Sequence, residues 1–137
     1  MLEVEVFGAE LAGDAPPFSE VQRLCVLAAA RAGVKSGHLA IEYVDAQRIA
    51  ELNQEHRGNP AVTDVLSFPI DGAGFPAGGE PIGAPRELGD VMICPEHTLD
   101  LREAIVHGVL HLLGMDHETD DGEMLAIQHE LLEREAR

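Results

Sequence analysis

The chain has 137 residues, a hydrophobic content of 45% and 25 acidic against 9 basic side chains, for a formal net charge of −16. This length and composition predict one folded domain over residues 1–137 and exclude a wholly disordered chain. The acidic balance argues against long-range attraction of free nucleic acid, and the lack of a long apolar run or a secretory signal predicts a cytoplasmic protein with no membrane partner.

The first quarter of the chain predicts a strand followed by a helix. Residues 1–7 alternate apolar side chains with glutamates, a pattern typical of a strand with one buried face. After a loop rich in glycine, alanine and proline, Ser19 begins a predicted capping box, and apolar side chains follow at helical spacing until Gly33 ends the helix. The two cysteines, Cys25 and Cys94, are predicted to be buried free thiols.

The next elements are a second strand, a short helix and a third strand. Residues 38–44 alternate again, and Asp45 is the predicted cap of a short helix that turns Ile and Leu side chains towards the core. Residues 53–60 are polar and predict a loop ending in a turn, and residues 61–68 predict the third strand. Residues 71–86 hold many glycines and prolines and predict a loop, either a lid that contacts substrate or a tolerated insertion.

The second half of the chain predicts a fourth strand and two helices. Residues 88–94 are largely apolar and predict a strand, after which Asp100 opens a helix by a capping box. This helix is apolar on most sides over residues 104–113, so it is predicted to be central and buried. A last helix runs from about residue 120 to the end, with Met124, Ile127 and Leu131 facing inward. These elements predict an α+β domain: a small mixed four-stranded sheet packed with about four helices, the central one carrying a three-histidine site.

The central helix carries His107 and His111, which are four residues apart and therefore lie on one helical face. Gly114 is a predicted helix end, and a chain reversed there brings His117 back towards the other two. Three neutral imidazoles would hold one metal ion and leave a coordination position open, as in catalytic zinc sites. Because burying three imidazoles without a shared partner is costly, we predict metal binding rather than a purely structural role. Three further histidines are predicted to be ordinary strand-end or surface residues: His38, His97 and His129.

The spacing His-x-x-x-His-x-x-Gly-x-x-His is that of the metzincin peptidases, which place a glutamate general base directly after the first histidine. In this chain that position is Gly108, so the usual base is missing and peptidase activity is disfavoured. A metal-dependent hydrolase acting on another substrate is the working prediction.

Four sequence blocks, which run from the middle of the chain into its last quarter, occur in a recognisable order. The blocks are Leu-Asn-x-x-x-Arg-Gly at 52–58, Thr-Asp-Val-Leu-Ser-Phe-Pro at 63–69, Leu-Gly-Asp-Val-Met-Ile-Cys at 88–94 and His-Gly-x-x-His-Leu-Leu-Gly-x-Asp-His at 107–117. Together they resemble the YbeY family, bacterial endoribonucleases of ribosomal RNA maturation. The resemblance runs from about residue 40 to the C-terminus.

The resemblance implies a zinc ion on His107, His111 and His117 and a functional arginine beside it, which falls on Arg57. A guanidinium suits a phosphodiester in its transition state, because it stays charged and offers a planar fork of donors; a surface salt bridge is the alternative for this side chain. Asp116 either orients a ligand or caps the last helix.

The resemblance further implies a single-strand-specific, zinc-dependent endoribonuclease that acts in 16S rRNA 3′-end maturation and ribosome quality control. The implied partners are ribosomal RNA, the ribosome or a ribosomal protein, and an assembly GTPase. One departure from the family pattern is the segment 94–106, which is too short for the helical segment that family members usually carry there.

Two alternatives stay open at this point. The first is a non-enzymatic ribosome-assembly factor with a structural zinc, which the missing base and the acidic charge support. The second is a small metallohydrolase that acts on another substrate.

Overall fold

The computed structural model describes residues 2–59, 61–70, 87–113 and 123–136, without the side chains of residues 57, 123–125 and 134–136. The strands are β1 (Leu2–Phe7), β2 (Gly37–Tyr43), β3 (Val65–Pro69) and β4 (Glu87–Ile93), and the helices are α1 (Phe18–Arg31), α2 (Ala46–Arg57), α3 (Leu101–Leu112) and α4 (Glu123–Ala136). The strands form one sheet in the order β1-β2-β4-β3, in which β1, β2 and β4 are parallel and β3 is antiparallel to β4. The predicted α+β architecture, with a mixed four-stranded sheet and four helices, is confirmed.

The helices cover the two faces of the sheet unequally. On one face α1, α3 and α4 pack together over Ile41 and Val91, and α3 contacts both of the other helices as well as β3 and β4. Because side chains alternate across a strand, Leu66 points to the opposite face, where it packs with Ile49 and Leu52 of α2. The prediction that the histidine helix is central and buried is therefore confirmed.

The start of α1 differs from the prediction. Ser19 does not cap the helix, which begins one residue earlier, at Phe18. The N-cap is Pro17, and its carbonyl accepts hydrogen bonds from the amides of Glu20 and Val21. A proline suits a helix start because its ring restricts φ and its missing N–H would have no partner there.

The loop predicted for residues 53–60 is also wrong, because residues 53–57 complete α2. The helix begins at the predicted cap, where Asp45 accepts a 2.8 Å hydrogen bond from the Arg48 amide, and it ends at Gly58 in the left-handed conformation. Asn53 is buried and donates a 2.9 Å hydrogen bond to the Ala61 carbonyl, which holds the following segment against the helix. As a result, the third strand begins at residue 65 rather than 61.

Both cysteines are buried free thiols, as predicted. Burial raises the pKa of the Cys25 thiol to about 12 and also raises the pKa of Cys94. In the ranges that the structure describes, none of the helices is both long and apolar enough to cross a membrane. The predicted loop at 71–86, Gly114 and the side chain of Met124 lie outside the described residues.

Candidate functional site

The candidate site is built on α3, and the first turn of this helix is firmly anchored. Asp100 caps it as predicted, accepting hydrogen bonds from the amides of Arg102 at 3.0 Å and Glu103 at 3.2 Å. The Arg102 guanidinium pairs with Glu20 of α1. Of the twelve residues of α3, eight are buried, and three of the other four, Glu103, His107 and His111, lie on one face at four-residue spacing.

The stripe of α3 that is not buried carries both of its predicted ligands. His107 and His111 are half-buried, and their rings are stacked with centroids 6.4 Å apart and planes 13° from parallel. This arrangement follows from their four-residue spacing on one helical face. Two imidazoles held side by side in this way can supply two of the three or four protein ligands that a transition metal requires.

Gly108 explains why the peptidase glutamate has no place in this fold. A Cβ added at Gly108 would lie 2.4 Å from Cγ1 of Val91 and 3.2 Å from Cγ2 of Val65. The Gly108 carbonyl also accepts a 2.8 Å hydrogen bond from the buried Ser67 hydroxyl of β3. The residue after the first histidine therefore faces the sheet at close range, and a carboxylate there could not reach a bound substrate.

The ring of His107 is held from the other side by α4. Its Nδ1 lies 3.0 Å from Oε1 of Gln128, a residue that is 6% exposed. The sequence analysis missed this contact, because the two residues are 21 positions apart and on different helices. The sequence held one indication of it: Gln128 is a polar residue between Ile127 and Leu131, which were predicted to face inward.

A cleft of about 330 Å³ opens beside His107. Its walls come from the start of β3, the segment after β4, α3 and α4, and the residues that line it include Asp64, His97, Asp100, Glu103, His107 and Gln128. Glu103 lies four residues before His107 and therefore on the same helical face, so it brings a carboxylate to the cleft. His97 is exposed as predicted, but the sequence did not place it beside the site. The third histidine predicted to be ordinary, His129, is exposed and pairs with Glu133.

Arg57 is the last residue of α2, on the opposite face of the sheet from α3. Its side chain lies outside the described residues, so its relation to His107 stays a prediction. Its neighbour His56 packs against Phe68 of β3 with ring centroids 4.5 Å apart. β3 is an edge strand of the sheet.

The structure thus brings two of the three predicted ligands together and leaves the third untested. His117 and Asp116 lie outside the described residues. Among the residues that are described, no three His, Cys, Asp or Glu side chains form a group that could hold a metal ion. The donor chemistry of His107 and His111 fits a zinc ion as part of a larger ligand set.

A second charged cluster lies on the sheet, away from the cleft. His38 of β2 sits between two carboxylates, with Nε2 3.0 Å from Glu5 and Nδ1 3.0 Å from Glu87. The hydrogen bond to Glu87 raises the pKa of His38 above its usual value; burial opposes this rise, and the weaker effect of the hydrogen bond to Glu5 adds to it. Its predicted role as an ordinary residue is therefore refined to that of an imidazole that links carboxylates of the two strands flanking β2.

Comparison with known proteins identifies a family whose sequences match this chain. A family model described as Endoribonuclease YbeY matches residues 18–135. Endoribonuclease YbeY of Macrococcus caseolyticus is 34% identical over 149 aligned residues, which cover 96% of this chain and 94% of that protein. Those of Corynebacterium jeikeium and Mycolicibacterium vanbaalenii are 40% and 41% identical; the matches cover 71% and 72% of this chain, which spans 62% and 61% of their lengths. A solution structure of a protein from Thermotoga maritima has a similar fold, with a TM-score of 0.54 at 23% identity over 96% of this chain and 88% of that one.

Proposed function

The chain belongs to the YbeY family, and from this premise we propose that it is a zinc-dependent endoribonuclease that cuts single-stranded ribosomal RNA. Its place would be in 16S rRNA 3′-end maturation and ribosome quality control in the cytoplasm. The family match over residues 18–135 carries the reaction class. The parallel pair His107 and His111 beside a cleft supports the metal dependence.

The metal would be held by His107, His111 and His117. A zinc ion in such a site acts as a Lewis acid that stabilises negative charge on a phosphodiester. Neutral imidazole is a suitable ligand for zinc, and three protein ligands leave one position open for a substrate or solvent. The firm part of this set is the described pair, which α3 holds 6.4 Å apart between ring centroids.

Arg57 would stabilise the charge of the phosphodiester in the transition state. The guanidinium remains charged at neutral pH, and its planar donors can bind two phosphate oxygens together. A fixed cation matters especially in this chain, because the net charge of −16 otherwise opposes the approach of RNA.

The nucleophile is either water or the ribose 2′-hydroxyl. Gly108 cannot be replaced by a base that reaches the substrate, because its Cβ direction is filled by Val91. Glu103 brings a carboxylate into the cleft from the preceding helical turn and is a candidate to accept a proton. Cleavage products ending in a 2′,3′-cyclic phosphate would exclude direct attack by water.

The acidic surface suggests how the substrate reaches the site. Free RNA is repelled over long range by an excess of carboxylates. We therefore propose that the RNA is delivered by a partner: the ribosome, a ribosomal protein or an assembly GTPase. Cleavage of free RNA should accordingly be slower than cleavage of the same RNA in a ribosomal particle.

The test of the enzymatic role is Arg57→Glu, with Arg48→Glu as matched control. Arg48 is on the same helix and pairs with Glu51 on the surface, so its reversal changes the net charge equally without touching the proposed site. The assay follows cleavage of single-stranded rRNA fragments by proteins of equal zinc content. We expect cleavage to fall by about 100-fold or more in Arg57→Glu and little in Arg48→Glu. Equal cleavage by the two variants would remove Arg57 from the mechanism.

The test of the metal site is His111→Ala, with the exposed His129→Ala as control. We expect His111→Ala to lose bound zinc and thermal stability together, because metal binding and folding are coupled. Elemental analysis of protein that has not been exposed to a chelator measures the bound zinc, and thermal unfolding measures the stability. Full zinc occupancy in His111→Ala would show that the ligand set is misassigned. If the unaltered protein contained no bound metal after purification, the zinc proposal would be refuted.

One observation favours a second candidate, a non-enzymatic ribosome-assembly factor with a structural zinc. The cleft beside His107 contains the carboxylates of Asp64, Asp100 and Glu103, which repel a phosphate. Under this alternative, Arg57→Glu would associate with ribosomal particles less well, and unaltered protein would not cut RNA. Loss of cleavage with normal association would instead favour the enzyme.

A further inference from the structure

We propose that Gln128 is a positioning residue of the metal site, which fixes the tautomer and ring orientation of His107 so that Nε2 is the nitrogen offered to the metal. The ligand role of His107 rests on the proposed function. The tautomer is a property of the metal-free protein, so the two parts can be tested separately.

The first support is the burial of Gln128. It lies on α4 between Ile127 and Leu131, which face the core, and is 6% exposed. A buried amide without hydrogen bonds is costly, so a glutamine in such a place is expected to have a specific partner. The partner is His107 on the neighbouring helix, at 3.0 Å from Gln128 Oε1 to Nδ1.

The second support is the chemistry of this pair. An amide oxygen accepts a hydrogen bond and cannot donate one, so the facing Nδ1 must carry the proton. In a neutral imidazole the other nitrogen, Nε2, then holds the lone pair that a metal requires. The histidine side chain in water favours the opposite tautomer, with the proton on Nε2, so the amide of Gln128 selects the form that binds metal through Nε2.

The third support is the position of α4 behind the site. α4 packs on α3, and the buried Leu131 anchors it in the core one helical turn after Gln128. The amide is therefore held by the packing of two helices rather than by a flexible surface segment. Partners of this kind orient ligands in metalloproteins, and their loss typically lowers metal affinity about 10–100-fold.

The experiment compares the unaltered protein with Gln128→Leu and Gln128→Glu. Leucine fills similar space without an acceptor, whereas glutamate keeps an acceptor oxygen at the same distance along the side chain. His129→Ala is the matched control, because it changes an exposed side chain of the same helix and leaves the hydrogen bond and the packing of α4 in place. Each metal-free protein is labelled with ¹⁵N-histidine, and long-range ¹H–¹⁵N correlation spectra identify the protonated nitrogen of His107. Zinc affinity is then measured by competition with a chelator at a temperature where all four proteins are folded.

We expect the Nδ1–H tautomer in the unaltered protein, in Gln128→Glu and in His129→Ala, and its loss in Gln128→Leu. Zinc affinity should fall about 10–100-fold in Gln128→Leu and stay close to the unaltered value in the other two. An Nε2–H tautomer in the unaltered protein, or equal zinc affinity in Gln128→Leu, would overturn the inference. If the unaltered protein shows Nδ1–H but binds no zinc, the proposed metal site fails and the ligand role of His107 fails with it. Tight zinc binding by both the unaltered protein and Gln128→Leu would refute the positioning role of Gln128 and leave the proposed metal site standing.

Discussion

Gly108→Ala tests how closely α3 must approach the sheet. The added Cβ would lie 2.4 Å from Cγ1 of Val91, about 1 Å short of an ordinary carbon–carbon contact, and 3.2 Å from Cγ2 of Val65. Both neighbours are β-branched strand residues with restricted χ1, so neither can turn aside easily. The helix itself must move, and that movement also strains the hydrogen bond from Ser67 to the Gly108 carbonyl.

The expected loss of unfolding free energy is about 1–2 kcal/mol. Overpacking a core costs about 1–3 kcal/mol, and replacing glycine by alanine inside a helix returns up to about 1 kcal/mol. We place the cost towards its upper end because Val91 is completely buried. Urea unfolding of the metal-depleted protein, followed by far-ultraviolet circular dichroism, measures the difference without a contribution from zinc.

Two further variants make the result specific. In a double-mutant cycle, Val91→Ala removes the clashing methyl, so Gly108→Ala should cost less in that background, with a coupling of about 1 kcal/mol or more. Gly13→Ala is the control, since a Cβ at Gly13 meets nothing within 4 Å, and it should be neutral or slightly stabilising. A Gly108→Ala protein as stable as the parent, or strictly additive effects with Val91→Ala, would refute the close-approach argument.

Three more predictions concern single side chains. Ser67→Ala should lower the unfolding free energy by about 1 kcal/mol, because its buried hydroxyl donates to an α3 carbonyl; a urea midpoint equal to the parent's would contradict this. Because the pKa of His38 is raised in the folded state, its charged form stabilises the protein below the unfolded pKa, near 6.5, and this stabilisation is lost as pH rises through the folded pKa. His38→Gln should therefore be more destabilising at pH ~5.5 than at pH ~8.5, by under about 1 kcal/mol because the partner carboxylates are half-exposed; a gap that widens at alkaline pH would contradict the sign. Burial and a pKa of about 12 should keep the Cys25 thiol unreactive towards a disulfide reagent at pH ~8 until the protein unfolds, and rapid labelling of the folded protein would disprove it.

Much of the fold could be predicted from local patterns. Alternation identified β1 and β2, an apolar run identified β4, and the Asp45 and Asp100 caps marked two helix starts correctly. The polar end of α2 could not be recognised in this way, because residues 53–57 lack an apolar stripe. What makes them helical is tertiary: Asn53 binds the Ala61 carbonyl, and His56 packs on Phe68.

The site was predictable where its chemistry follows the helical repeat. The spacing of His107 and His111 fixed their common face, and the structure confirms that they lie side by side. The contact with Gln128 depends on how α4 packs on α3, which no local pattern encodes. Likewise, the sequence showed that Gly108 replaces a glutamate, but the reason is the nearness of Val91, which lies on a different element.

The strand order affects how fast the protein folds. The central ladder pairs β2 with β4, so Ile41 lies beside Val91, 50 positions later in the chain. Contacts of this separation carry a large loop-closure cost and are associated with slow folding. This ladder also joins the half of the chain that contains α2 to the half that contains α3. Amide exchange in β2 and β4 should therefore report the same rare global opening of the protein.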